Sequence, residues 1–430
     1  MNKIFKFKIV KSEVKSKVRA GEIITSHGVV HTPAFVVVGT QATVKSLMPE
    51  DLKNIGVEIL FGNTYHLHLR PGEDVIQELG GLGKFMGWSG ATITDSGGFQ
   101  VFSLNRGKTL NRTQNNTEND FGAVPRPPVG GVQRDSAPVL VKITDNGVEF
   151  RSHLDGSKHI FTPEKSIEIQ QKLGADIILA FDECAPHPST CEYTKKAMER
   201  THEWAVRCLK AFNPPSEESR SLPRHLGGGR MDSSEVNLQA LYGIIHGGIY
   251  KDLREESAKF ISNLSFDGIA IGGVAVGESK KEMRDVLNWV YPFLPEDKPR
   301  HLLGIGEVDD IFDAVDKGMD TFDCVIPTRF GRYGIVFVPK PEGNIKNHFR
   351  IDLNKSIYAR DKGPISKDCK CYTCQNFTRG YLNHLFRAQE LLGYRLATYH
   401  NLYFIVDLVK QIRESILEGR FEKLKKKWLG

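Results

Sequence analysis

No apolar stretch in this chain approaches the roughly 20 consecutive residues that cross a bilayer, so a membrane-spanning helix is not expected. Cysteine is scarce: there are seven, an odd number, with three crowded between 369 and 374 and four scattered. That is not the framework of a disulfide-stapled secreted protein. The opening MNKIFKFKIVKSEVKSK breaks its apolar residues with lysines and lacks a signal-peptide core, so the expected location is the cytosol. What remains is an ordinary globular composition over 430 residues, enough for one large α/β domain or a few smaller ones.

The net charge of +6 is unevenly placed. Residues 346–430 hold 17 Lys and Arg against 8 Asp and Glu, which is +9, and everything before them sums to −3. A basic segment on a near-neutral body fits a polyanionic partner, although a lysine run such as 423–427 is also an ordinary solvated face.

Eight short apolar runs recur: AFVVVGT (34–40), VEILFGN (57–63), ATITDSGG (91–98), DIILAFDE (176–183), LYGIIHGG (241–248), GIAIGGVAVGE (268–278), HLLGIGE (301–307) and TFDCVIP (321–327). Most are followed by helical text. In TPEKSIEIQQKLG, Thr162 is the expected N-cap and Pro163 opens the first turn, while Ser279 and Glu282 have capping-box spacing. Near-continuous apolar strands alternating with amphipathic helices predict a parallel sheet covered by helices, and eight units predict a (β/α)8 barrel over 1–340. Two stretches rich in Pro, Gly, Asn and Ser, near 105–138 and 213–236, are expected to be insertions. Residues 341–430 form a distinct segment with the cysteine cluster and long helical text, integrated with the barrel. No internal repeat is visible.

Barrel active sites lie at the C-terminal ends of the strands. The residues there are Asn63, Asp95, Asp182, His246, Gly272 and Gly273, Gly304 and Asp323. Singly, Asp95 would pass as a turn former, Asp182 as a helix cap and His246 as a satisfied histidine. Three carboxylates at one mouth must share a proton, bind a cation or hydrogen-bond a polar ligand. Asp323 is the sharpest case, because it stands in an apolar run where an unpaired charge costs several kcal/mol. A metal would be expected to recruit more His or Glu. Two carboxylates facing one glycosidic centre suit substitution at an anomeric carbon, one as nucleophile and the other moving protons. The paired glycines would let backbone approach a flat ligand such as a nucleobase. Separately, CKCYTC offers Cys369, Cys371 and Cys374, and either His384 or His400 would complete a closed tetrahedral zinc site.

The motifs TDSGGFQVFSL, FDECAP, GIAIGGVAVGE, LLGIGEVDDIFDAVDKGMDTFDCVIPTRFGR, CKCYTC and TYHNLYF together resemble the tRNA-guanine transglycosylases of the bacterial queuosine type, from about residue 5 to 428. The resemblance implies a zinc-containing (β/α)8 barrel that exchanges guanine at the wobble position of tRNAs with a GUN anticodon for 7-aminomethyl-7-deazaguanine. It implies Asp323 as the covalent nucleophile, Asp95 as proton acceptor and donor, and a base held by Ser96, Asp182, His246 and the backbone of Gly273, Val274 and Ala275. Arg329 and Arg332 are implied near anticodon phosphates, His400 as the fourth ligand of one structural zinc per subunit, and a homodimer as the assembly. The family usually has Gln where His246 stands, which puts base preference in question. Val276 and Cys184 resemble enzymes that take the small base. A relative acting on archaeal tRNA, on DNA or in queuine salvage, and a non-catalytic tRNA-binding subunit, are the alternatives; retention of all three carboxylates argues against the last.

Overall fold

The computed structural model describes residues 4–12, 16–100, 141–213, 238–275 and 277–430. Val276 and nearly all of the two expected insertions lie outside the described residues.

Each of the eight apolar runs marks one barrel strand, two of which start one residue before the run: β1 (Ala34–Val38), β2 (Ile59–Gly62), β3 (Ala91–Thr94), β4 (Ile177–Leu179), β5 (Ala240–Ile245), β6 (Gly268–Ile271), β7 (Arg300–Leu302) and β8 (Thr321–Cys324). They pair in parallel in chain order, and β8 closes onto β1 with Thr321 opposite Ala34 and Asp323 opposite Val36. Helices on the outside and packed side chains within leave every strand residue buried except Val38 and Asp323, which stand partly open. This explains why the strands read as continuous apolar runs rather than alternating ones.

The helices start where local chemistry satisfies their first N–H groups. Thr162 Oγ1 accepts from Lys165 N–H at the head of Pro163–Leu173, and Ser279 with Glu282 forms a reciprocal capping box on Lys280–Val290. The 27-residue helix Leu391–Leu417 lies against β1 and against the short helix Ile326–Gly331 that follows β8.

Three small antiparallel sheets had no counterpart in the reading of the sequence. Lys6–Ser12, Arg19–Thr25 and Gly28–Thr32 form a sheet across the N-terminal end of the barrel, where Phe5, Ile23 and Val30 join the same buried cluster as Val36, Ile59, Ile93 and Ile177. Beneath it, Arg19 and Asp320 make a buried pair at 2.5 Å, and Asp320 also accepts from Arg300 N–H. Lys142–Thr144, Gly147–Arg151 and Lys158–Phe161 form a second sheet between β3 and β4, and Ile335–Phe337 pairs with Arg350–Asp352 after the barrel. With one end plugged, the C-terminal strand ends form the open mouth.

Candidate active site

At the end of β3, Asp95 is held by groups from the end of β2. Asn63 Nδ2 donates to its Oδ2 at 2.5 Å and Thr64 N–H to its Oδ1 at 2.8 Å, while Asn63 Oδ1 caps the helix Thr64–Leu69 by accepting from His66 N–H. Burial, reinforced by the charge of Asp182, pushes the Asp95 carboxyl up to about 7 against the pull of the Thr64 N–H. A carboxyl poised there takes and returns protons near neutral pH.

Ser96, Asp182 and His246, from the ends of β3, β4 and β5, form one network. Ser96 Oγ donates to Asp182 Oδ1 and His246 Nε2 to Asp182 Oδ2, both at 2.7 Å. The backbone at Gly98 crosses so close that a Cβ there would stand 2.5 Å from the Asp182 carbonyl oxygen. Gly273, at φ +61°, turns the chain after β6 beside the His246 ring. Val274 buries its side chain in the core, so only its backbone is available to a ligand, and Ala275 is exposed.

Among the described residues, Asp323, at the end of β8, accepts on one oxygen only. His301 Nε2 and Gly304 N–H both donate to Oδ1 at 3.2 Å, and His301 is itself oriented by Thr321 Oγ1 at 2.9 Å. Oδ2 has no partner among the described residues, and the side chain retains 14% exposure. The adjacent Cys324 is no rival nucleophile, because burial pushes its thiol up to about 12. Arg329 is exposed on the next helix, and Arg332 donates to Thr328 O at 2.7 Å.

Reading the sequence missed three residues here. His301 lies in the run HLLGIGE, but its target is set by the register of β7 on β8. Arg254 is fully buried on the helix Lys251–Ser262 and donates to Gly248 O, Ile245 O, Gly272 O and Gly273 O at 2.6–3.1 Å, tying the ends of β5 and β6 together. Lys45 completes a cationic group: burial and then the charges of Arg332 and Arg329 lower its amine pKa. None of these three cations pairs with a carboxylate among the described residues.

Away from the mouth, Cys369, Cys371 and Cys374 place their sulfurs 3.8, 3.4 and 3.3 Å from His400 Nδ1. These four donor atoms all lie within 4.8 Å of one another and could hold a metal ion. His400 Nε2 donates to Phe337 O at 2.7 Å, which leaves Nδ1 as the lone-pair face. Hydrogen bonds among the three sulfurs pull the Cys374 thiol down and push the Cys371 thiol up, so without a metal the group shares protons that a metal would displace. His384 is exposed on the helix Arg379–Arg387 and outside this group. A second acidic group, Glu307, Asp309 and Asp310, closes around Lys280 Nζ at 2.6–3.2 Å.

A parallel barrel with carboxylates at its mouth and a separate Cys3His group is the class of enzyme defined by these features. The Queuine tRNA-ribosyltransferase family model matches residues 14–124 and 127–430. A queuine tRNA-ribosyltransferase from Roseiflexus sp. (strain RS-1) is 46% identical over 424 residues, spanning 99% of each chain. One from Caldanaerobacter subterraneus subsp. tengcongensis is 44% identical over 424 residues, 99% of this chain and 96% of the relative, and one from Herpetosiphon aurantiacus is 46% identical over 412 residues, 96% and 89%. The chain belongs to the queuine tRNA-ribosyltransferase family and is an enzyme of tRNA-guanine transglycosylation. No helix among the described residues is long and apolar enough to cross a membrane.

Proposed function

We propose that this enzyme exchanges guanine at the wobble position of GUN-anticodon tRNAs for 7-aminomethyl-7-deazaguanine, by double displacement through a covalent bond to Asp323. The observation that carries the reading is the asymmetric seating of Asp323, one oxygen fixed by His301 and Gly304 and the other without a partner among the described residues. In the first displacement that oxygen attacks the ribose anomeric carbon, the C–N bond breaks, and its electron pair leaves with guanine, which takes a proton from Asp95. In the second, Asp95 removes the ring N–H proton of the incoming base, the nitrogen attacks the anomeric carbon, and Asp323 departs as carboxylate. Ser96, Asp182, His246 and the Gly273, Val274 and Ala275 backbone form the base pocket, and Lys45, Arg329 and Arg332 take anticodon phosphates.

Cys369, Cys371, Cys374 and His400 would hold a structural zinc; three thiolates and an imidazole suit that ion and leave no position for water. A homodimer is supported by large apolar side chains left exposed after the barrel, Ile357, Tyr372, Tyr381 and Leu391.

Substituting Asp323→Asn should abolish both exchange of labelled guanine into unmodified tRNA and the denaturation-resistant protein–tRNA adduct. Full exchange by the variant would sink the assignment. The named relatives favour queuine as a second candidate base, and competition between the two bases in the same assay separates them.

A further inference from the structure

We propose that binding of the purine base takes up one proton at His246 Nδ1, so that the imidazolium, not the neutral ring, reads the base's carbonyl. This rests on the transglycosylase reading of the site.

The tautomer follows from the partners. A carboxylate only accepts hydrogen bonds, and Asp182 Oδ2 faces His246 Nε2 at 2.7 Å, so Nε2 carries the hydrogen. A neutral imidazole has only one, which leaves Nδ1 as a lone pair. That nitrogen has no hydrogen bond among the described residues and looks along the glycine wall: a Cβ on Gly273 would stand 3.3 Å from it, and one on Gly272 would stand 2.9 Å from ring Cε1.

Guanine and its 7-deaza relatives present N1–H and N2–H donors next to the O6 acceptor. Asp182 suits the donors, so its neighbour His246 meets O6. Two lone pairs would then oppose each other. A proton on Nδ1 turns that contact into a charge-assisted hydrogen bond while Nε2 keeps Asp182. An amide at this position would donate without any proton uptake. The charged and titratable groups packed around the ring are Asp182 in contact, Asp95 beyond it, His202 joined through Ser257, Arg254 behind Gly273, Glu278 next to Arg254, and Cys184 near Gly273.

Calorimetric titration of guanine into the full-length enzyme at pH 8, in two buffers of different ionisation enthalpy, counts the protons. Wild type should take up close to one proton more than His246→Gln, and its affinity should fall with rising pH more steeply than the variant's, by up to a further tenfold per pH unit. Uptake common to both proteins belongs to Asp95. On wild type alone, nitrogen NMR of labelled histidine should show Nδ1 protonated only with base present, which holds whether or not the variant folds. Equal uptake in both proteins, or an unprotonated Nδ1 in the complex, overturns this inference alone. Absence of base binding by either protein at any pH overturns it together with the reading beneath it.

Discussion

Asp95 shows how burying one carboxyl ties the stability of the fold to pH. Burial holds its carboxyl near 7, well above the usual carboxylate range, so the folded state prefers the protonated form. The sign follows from linkage: the contribution is fully favourable below the unfolded value near 4 and is lost as pH rises through about 7. Three pH units correspond to roughly 4 kcal/mol at most. Asp95→Asn removes the titration but exchanges an acceptor facing Asn63 Nδ2 for an amide. The stability of wild type relative to Asp95→Asn should therefore fall by about 2–4 kcal/mol between pH 4 and pH 8, read by denaturant melts, while the variant loses exchange activity. A flat difference across that range would place the Asp95 carboxyl in ordinary solvent.

At the scale of elements, the eight barrel strands were legible because both faces of each are buried and the sequence has no choice but apolar runs. The same logic singled out Asp95, Asp182 and His246, each near the end of such a run, and Asp323 as the charge inside one. The N-terminal sheet was not legible: KFKIVKS is exposed along nearly its whole length, so no period of two marks it. Arg254 reads as a surface position within YKDLREESAKFISNL, and only the carbonyls of Gly248, Ile245, Gly272 and Gly273 explain its burial; those meet in three dimensions alone. Barrel and tail share one apolar core, in which Leu402, Ile405 and Val409 of the long helix cluster with Phe35 and Val37 of β1, and a few polar contacts add to it. His400 binds Phe337 O, and Asn401 bridges Pro327 O, Ile335 O and Phe337 N–H, so the helix carrying the Cys3His group's histidine also fixes the helix bearing Arg329. Removing the metal by chelation, or making Cys371→Ser, should lower Tm by on the order of 10 °C and weaken tRNA binding more than base binding. Active protein with no metal by elemental analysis would refute the zinc assignment.

Across the whole molecule, the cations without carboxylate partners lie at the rim rather than in the mouth. Three carboxylates line the opening, which repels a polyanion, while the base that enters is neutral. On the proposed function the phosphates would be met by cations placed just outside, where Lys45, Arg329 and Arg332 are crowded together without carboxylate partners among the described residues. The basic tail is less available than its count suggests, since Lys425 approaches Asp313 at 3.6 Å and Asp316 at 3.4 Å on the helix Val308–Asp316. Counterion release sets a slope of log affinity against log salt of about −0.7 to −0.9 per phosphate neutralised. Binding of an anticodon stem-loop with uracil on both sides of the target guanine should therefore weaken steeply with salt, and Arg329→Ala should make the slope shallower by about one. Lys425→Ala should leave it unchanged, and binding of free base should ignore salt. If Asp323 is the nucleophile proposed above, a wobble base must be splayed from its stacked loop to reach it, so changing either flanking uracil should reduce exchange far more than changing stem pairs. Equal exchange in a random single strand or in duplex DNA would show that the enzyme reads a different polymer.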